Sequence, residues 1–222
     1  MKFTPYGRGT IRFFLLVSII IDLIAFLIDI VWLKIALVAV SIILMIFVLN
    51  FFRDPERKLP ANITDDTVIS PADGRVVMVG EIENKDENPF AKGEKLMMVS
   101  IFLSAFNVHV NRIPISGKVN FIKYIEGDYI VAFDHKSSDR NERSELGIMS
   151  TTNKQIVFKQ IAGFVARRII YDLKEGDDVF KGDRFGMIKF GSRMDLLFKP
   201  DAKIFVSKGD KVTAGETIIC EL

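Results

Sequence analysis

The sequence is poor in the residues that hold metals or form disulfides. In 222 residues there is one cysteine, Cys220, and there are two histidines, His109 and His135. A single cysteine excludes an internal disulfide and suits a reducing compartment. Two imidazoles and one thiol leave no cluster with metal-ligand spacing, so no metal centre is expected. An excess of one charge is also missing: 30 Lys and Arg stand against 28 Asp and Glu. No basic-aromatic motif accompanies them, and nucleic acid is not expected as a partner. No small-residue cleavage site follows the first apolar run, which argues against a signal peptide.

Apolar residues are abundant, and the excess sits in the first quarter. Residues 13–31 and 35–52 are two nearly unbroken apolar runs. Each has the roughly 17–25 residues needed to cross a bilayer core. Only Trp32-Leu33-Lys34 separates them, which predicts a tight hairpin there. Lys2, Arg8 and Arg12 precede the first run, Arg53, Arg57 and Lys58 follow the second, and the hairpin has Lys34 alone. The positive-inside rule then predicts a two-pass cell-membrane protein with both ends in the cytoplasm. Asp22 lies centrally in the first run and is costly there, so it should face the other helix or another subunit. A homodimer would meet that need. The expected organisation is a membrane anchor over 1–58, a linker over 59–67 and a β domain over 68–222.

The remainder reads as strands. Short or alternating apolar runs recur at 76–79, 96–103, 119–125, 147–150, 155–160, 166–171, 186–190, 194–198, 203–206 and 216–221. Gly, Asp, Asn and Pro punctuate them, and no long amphipathic helix competes. The fold class expected is mostly β, a sandwich or barrel-like domain behind a two-helix transmembrane hairpin. Two internal echoes refine it. PADGRV (71–76) and PISGKV (114–119) share P-x-x-G-x-V, while GDDVFKGDR (176–184) and GDKVTAGET (209–217) share G-D-x-V-x-x-G. Each pair reads as one turn used twice in a pseudo-symmetric sheet. Such turns also resemble those of lipoyl- and biotin-carrier domains, so a non-catalytic, membrane-tethered carrier or adaptor is the rival reading. Carriers present lysine at a hairpin tip, whereas Lys189 sits inside a strand-like run.

Several residues admit both a structural and a chemical reading. His109 follows an apolar strand, where it either caps a strand end or acts as a base. His135 lies in a polar loop. Asp73 precedes Gly74 and fits a turn aspartate as well as a functional acid. The arginines of NERS (141–144) and QIAGFVARRI (160–169) are surface charges or binders of an anionic substrate. Gly191-Ser192 lies between two strand-like runs, as a bend or as a reacting pair. Ser192 with His109 would also suit a serine hydrolase.

In order along the chain, FFRDPER (51–57), SPADGRVV (70–77), FNVHVNR (106–112), NERS, QIAGFVARRI and RFGMIKFGSRMD (184–195) resemble the short-form pyruvoyl-dependent phosphatidylserine decarboxylases, a group that includes archaetidylserine decarboxylases. The resemblance implies that the chain cuts itself at Gly191-Ser192. The Ser192 hydroxyl attacks the Gly191 carbonyl to give an ester, elimination leaves dehydroalanine, and hydrolysis gives a pyruvoyl group at residue 192. A large chain of 1–191 and a small chain of 192–222 would then form a heterodimer from one precursor. The resemblance also implies that Asp73 orients a histidine that activates Ser192, and that Arg112, Arg143 and Arg167 bind a membrane phospholipid substrate. Longer members carry two histidines, three residues apart. Here His109 fills the first slot and Arg112 the second, so His109 serves cleavage, decarboxylation or both.

Overall fold

The computed structural model describes residues 2–127, 141–163, 168–189 and 192–222. The chain divides into two compact units, Met1–Glu56 and Arg57–Leu222.

In the first unit, a short 3-10 turn (Pro5–Gly7) leads into α1 (Arg8–Leu27), and α2 (Val31–Phe51) follows. Both helices are long and apolar enough to cross a membrane. Small side chains are buried: Ser18 and Ala25 on α1, Ser41 on α2. Small residues let helix backbones approach closely where lipid supplies no hydrophobic drive. Phe26, Leu27 and Trp32 are exposed. The break between the helices falls at Ile28-Asp29-Ile30, and Trp32-Leu33-Lys34 is the first turn of α2. The expected hairpin therefore shifts by four residues. Two β-branched residues flanking an aspartate are poor helix formers, and Ile28 adopts an extended conformation (φ −90°, ψ 130°). Asp22 is exposed on α1, so α2 does not cover it.

The second unit is mostly β. Its strands are β1 (Thr67–Ile69), β2 (Gly74–Glu83), β3 (Lys95–Leu103), β4 (Val110–Arg112), β5 (Gly117–Ile125), β6 (Arg143–Ser150) and β7 (Gln155–Ala162). They continue as β8 (Arg168–Tyr171), β9 (Asp178–Val179), β10 (Arg184–Lys189), β11 (Ser192–Phe198), β12 (Lys203–Ile204), β13 (Lys211–Val212) and β14 (Ile218–Glu221). An eight-stranded antiparallel sheet has the order β13-β2-β3-β11-β7-β6-β5-β9, and two three-stranded sheets have the orders β1-β14-β12 and β4-β10-β8. The strands absent from the sequence reading, β1, β4, β9 and β13, have two or three residues, too few to show a period.

The two internal echoes are real in three dimensions. β2 and β5 begin at the glycines of the two P-x-x-G-x-V segments, and β13 and β9 are the last two residues of the two G-D-x-V segments. Val212 pairs with Gly74 as Val179 pairs with Gly117, at opposite edges of the large sheet. Ile69 N–H donates to Pro114 O at 3.0 Å, and Arg112 N–H donates to Pro71 O at 2.9 Å, a reciprocal exchange. Gly176 and Gly209, and likewise Gly182 and Gly215, all have positive φ, a conformation glycine adopts without strain. Strand by strand, β1-β2-β3-β11-β12-β13-β14 corresponds to β4-β5-β6-β7-β8-β9-β10. The second seven-stranded repeat is thus inserted between the third and fourth strands of the first. Its two junctions, β3 to β4 and β10 to β11, lie side by side because Leu103 pairs with Ser192.

Along β11, Met194, Leu196 and Phe198 enter the main core with Ile101, Val99 and Phe158. Alternation places Ser192 on that core face and Arg193, Asp195 and Leu197 on the other.

Candidate active site

Three neighbouring strands of the large sheet, β3-β11-β7, connect through β3–β4, β10–β11 and β7–β8 to three neighbouring strands of a small sheet, β4-β10-β8. All three connections cross from one sheet to the other. Ser192 is the first residue of β11, directly opposite Leu103 at the end of β3 and Ala162 at the end of β7. Its side chain is fully buried, and Oγ has no hydrogen-bond partner among the described residues.

The histidine reaches the same crossing by a turn after β3. Asn107 Oδ1 accepts hydrogen bonds from Ser104 N–H at 2.8 Å and from Ser104 Oγ at 2.7 Å, and Asn107 N–H donates to Ser104 O at 3.0 Å. This turn reverses the chain, and fully buried His109 leads into β4. Val110 pairs with Met187 on β10, which itself runs on toward Ser192. His109 and Ser192 thus flank the junction where the inserted repeat leaves and rejoins the large sheet. Two residues past His109, Asn111 of β4 joins a buried polar chain. Ser144 Oγ donates to Gln160 Oε1 at 2.8 Å, and Gln160 Nε2 donates to Asn111 Oδ1 at 2.9 Å.

The opposite face of the sheet is charged and paired. Arg143 Nε lies 2.9 Å from Glu145 Oε1, and Lys159 Nζ lies 3.1 Å from the same oxygen. Asp86, from the β2–β3 connection, bonds Lys159 and lies 3.3 Å from Arg143. Arg193 Nε and Asp195 Oδ1 are 2.9 Å apart. Burial alone would raise the Asp86 carboxyl. The Lys159 hydrogen bond and the charges of Lys159, Arg143 and Lys123 outweigh it and hold the group below its ordinary value. A cavity of about 620 Å³ opens on this face, lined by Met78, Met98, Ser100, Arg193, Asp195 and Leu197 among others. It lies across the sheet from the Ser192 side chain.

Comparison with known proteins agrees with the motifs. The sequence profile of the family described as phosphatidylserine decarboxylase matches residues 44–220. A phosphatidylserine decarboxylase proenzyme of Salinibacter ruber is 50% identical over 173 residues, covering 78% of this chain and 74% of its own. Proenzymes of the same name from Chlorobium phaeobacteroides and Prosthecochloris aestuarii are 42% and 41% identical over 216 and 220 residues. Those alignments cover 97% and 99% of this chain, and 97% of each relative. The chain belongs to the phosphatidylserine decarboxylase family.

As a member of that family it is a decarboxylase, and the carrier alternative falls away. Lys189 pairs with Arg168 inside the β10 ladder and is not a hairpin tip. Cys220 supplies no nucleophile, since burial and then the Glu221 charge push its thiol up.

The structure brings Ser192 and His109 to one crossing, and it places the other expected site residues differently. Asp73 Oδ2 accepts from Arg57 Nη2 at 2.8 Å, and Oδ1 accepts from Ala214 N–H at 2.8 Å. Among the described residues these are the hydrogen-bond partners of Asp73, and His109 is not one of them. Arg112 lies one residue past Asn111 and projects to the other side of β4, where Nη1 donates to Gly182 O at 2.8 Å. Arg143 sits in the row of Arg193 and Ile161, on the face opposite Ser192. His135, Arg167 and Gly191 lie outside the described residues. Sequence reasoning missed Asn111, Gln160 and Ser144. Asn111 and Gln160 lie within FNVHVNR and QIAGFVARRI, and only the fold shows that their amides meet.

Proposed function

We propose that this decarboxylase converts a serine phospholipid, phosphatidylserine or archaetidylserine, to the ethanolamine lipid, using a pyruvoyl group made from its own Ser192. The observation that carries the reading is the buried Ser192 hydroxyl, with no hydrogen-bond partner among the described residues, at a junction flanked by buried His109. A buried hydroxyl without a partner costs stability, and such groups concentrate where chemistry needs them. Between GMIKF and RMDLLF the serine is also the residue that joins the two repeats.

In maturation, His109 takes the Ser192 hydroxyl proton as Oγ bonds to the Gly191 carbonyl carbon. The C–N bond then breaks, and the proton passes to the nitrogen of residue 192. Loss of the Ser192 α-proton expels the Gly191 carboxylate from Cβ. The dehydroalanine left behind takes up water and releases ammonia. In turnover the pyruvoyl supplies an electron sink for the departing carbon dioxide. His109 then holds the proton that replaces the carboxyl group. The orienting role of Asp73 requires Arg57 to release an oxygen in the reacting state. Arg167 is the cation assigned to the lipid's anionic groups; Arg112 would have to release Gly182 O to join it, and Arg143 is already committed to Glu145 and Asp86. The helical hairpin tethers the β unit to the bilayer, with both ends cytoplasmic by its Lys and Arg distribution. Exposed Asp22 then finds its partner in a second subunit.

The test is a denaturing gel of the purified full-length protein. Two chains are expected, the smaller resisting Edman degradation, with Ser192→Ala remaining a single inactive chain. A Ser192→Ala variant that still decarboxylates would overturn the proposal.

A further inference from the structure

Two side-chain groups at the junction are fully buried with no hydrogen-bond partner among the described residues, Ser192 Oγ and Asn111 Nδ2. About nine in ten buried polar groups in folded proteins are satisfied, so each exception calls for an account. Self-cleavage accounts for Ser192 and leaves Asn111 unexplained.

The Asn111 amide is held in one orientation. Ser144 Oγ donates to Gln160 Oε1, which makes the other end of Gln160 its NH₂ group. That group donates to Asn111 Oδ1, so the free end of Asn111 is its NH₂ group. A buried donor with two hydrogens is thus fixed by a relay of two residues, with no acceptor among the described residues.

Its location follows from strand register. Ala162 is directly opposite Ser192, and Gln160 is two residues before Ala162 on the same face of β7. Gln160 and Ser192 are therefore diagonal neighbours, about 7–8 Å apart. The Asn111 amide, bonded to Gln160 from the adjoining sheet, therefore meets the large sheet on its Ser192 face, two residues past His109 in the chain. The carbonyl attacked in self-cleavage is bonded to the nitrogen of Ser192, so its oxygen gains negative charge within a few bonds of the Ser192 side chain.

We propose that Asn111 Nδ2 donates a hydrogen bond to the oxyanion formed on the Gly191 carbonyl when Ser192 Oγ attacks it, with Gln160 and Ser144 as positioning residues. The inference rests on the self-cleavage reading. As the Oγ–C bond forms, the carbonyl π pair moves onto oxygen, and that charge is what Asn111 meets. When the pair returns, the C–N bond breaks and the nitrogen takes the proton. A donor left without a partner in the precursor and engaged only during attack lowers the barrier without stabilising the uncleaved state.

The experiment follows scission of full-length wild type, Asn111→Ala, Asn111→Asp and Gln160→Leu by pulse-chase in membranes, with and without hydroxylamine. Protease resistance is compared with that of Ser192→Ala. Removing an oxyanion donor typically costs about 10²–10³-fold, so Asn111→Ala should slow scission by that factor while resisting protease like Ser192→Ala. Hydroxylamine, which cleaves esters, should release no extra small chain, because the block precedes the ester. Asn111→Asp keeps the size and the acceptor for Gln160 but loses the donor, and should be slowed as much. Gln160→Leu should be slowed less. Wild-type rates in either Asn111 variant would overturn the proposal. So would a hydroxylamine-sensitive ester accumulating in them, which would place the donor after attack. If Asn111→Ala loses protease resistance, the Asn111→Asp rate decides. A wild type that never cleaves would refute the self-cleavage reading itself, an outcome distinct from slow variants of a cleaving wild type.

Discussion

The two faces of β11 solve opposite problems with alternate residues of one strand. On one face, Arg193 and Asp195 join a row in which each of Arg143, Lys159 and Arg193 has a carboxylate within 3.1 Å. On the other face, Ser192 Oγ and, across the junction, Asn111 Nδ2 are buried with no hydrogen-bond partner among the described residues. Paired charges on a buried surface fix register and hold strands together. Leaving them unpaired would cost several kcal/mol each. Buried polar atoms left without partners cost stability, and the charged face has two of its own, Ser100 Oγ and Glu145 Oε2, but only those of the second face stand at the proposed cleavage junction. Proximity to Ser192 in sequence is therefore a poor guide to chemistry here: Arg193 is adjacent and structural, while Asn111 is distant and at the junction.

Substitutions on the two faces should fail in different ways. The largest effect is expected at His109. His109→Ala should slow scission by about 10²–10⁴-fold if it is the base for Ser192, read as precursor persisting on gels over hours. If the variant cleaves normally and then fails to decarboxylate, His109 belongs to turnover alone. Asp73→Asn should be milder. It keeps the Ala214 contact through its side-chain oxygen but loses the charge that holds Arg57, and scission should slow by about tenfold or less. Wild-type scission in this variant would confine Asp73 to its turn.

On the opposite face the readout is stability. Asp86→Asn leaves Lys159 and Arg143 with less compensating charge, and should cost about 1–3 kcal/mol in denaturant unfolding while scission proceeds. A block in scission without loss of stability would break the division between the faces. The pH dependence has a defined sign. The Asp86 pKa is lower folded than unfolded, so its stabilisation is present above the ordinary carboxylate pKa of about 4. It is lost as pH falls below that toward the folded value. Thermal unfolding of wild type should therefore fall more steeply than that of Asp86→Asn below about pH 4. The smallest effect is expected at Lys2–Glu56, whose side chains are 74% and 60% exposed. Lys2→Ala should change stability by no more than about 0.5 kcal/mol.

The sequence made some of this architecture legible and hid the rest for physical reasons. The long apolar runs and strands such as β3 and β11 carry enough residues to show a period. The break between α1 and α2 was displaced because hydropathy alone treats Trp32-Leu33-Lys34 as an interruption, whereas helix propensity places it at Asp29 between two isoleucines. The G-D-x-V echoes were visible as turns, but β9 and β13 have two residues each and exist only through pairing with β5 and β2. His109 stood out as one of two histidines, and Ser192 through the motif around it. Asn111 and Gln160 are common polar residues 49 positions apart, and their contact depends on a three-residue strand bonded to the opposite sheet. The pairing of Arg143 with Glu145 and Asp86 was likewise invisible, because a lone arginine motif does not say which face it occupies.

The central claim, that Ser192 is converted to a pyruvoyl group with Asn111 Nδ2 placed to assist, is tested most directly by intact-mass measurement on purified, catalytically active wild-type protein. The account predicts a small chain comprising residues 192–222, with pyruvoyl in place of its first residue, in stoichiometric amount with a large chain ending at Gly191. Active protein whose mass is that of the uncleaved 222-residue chain would contradict it.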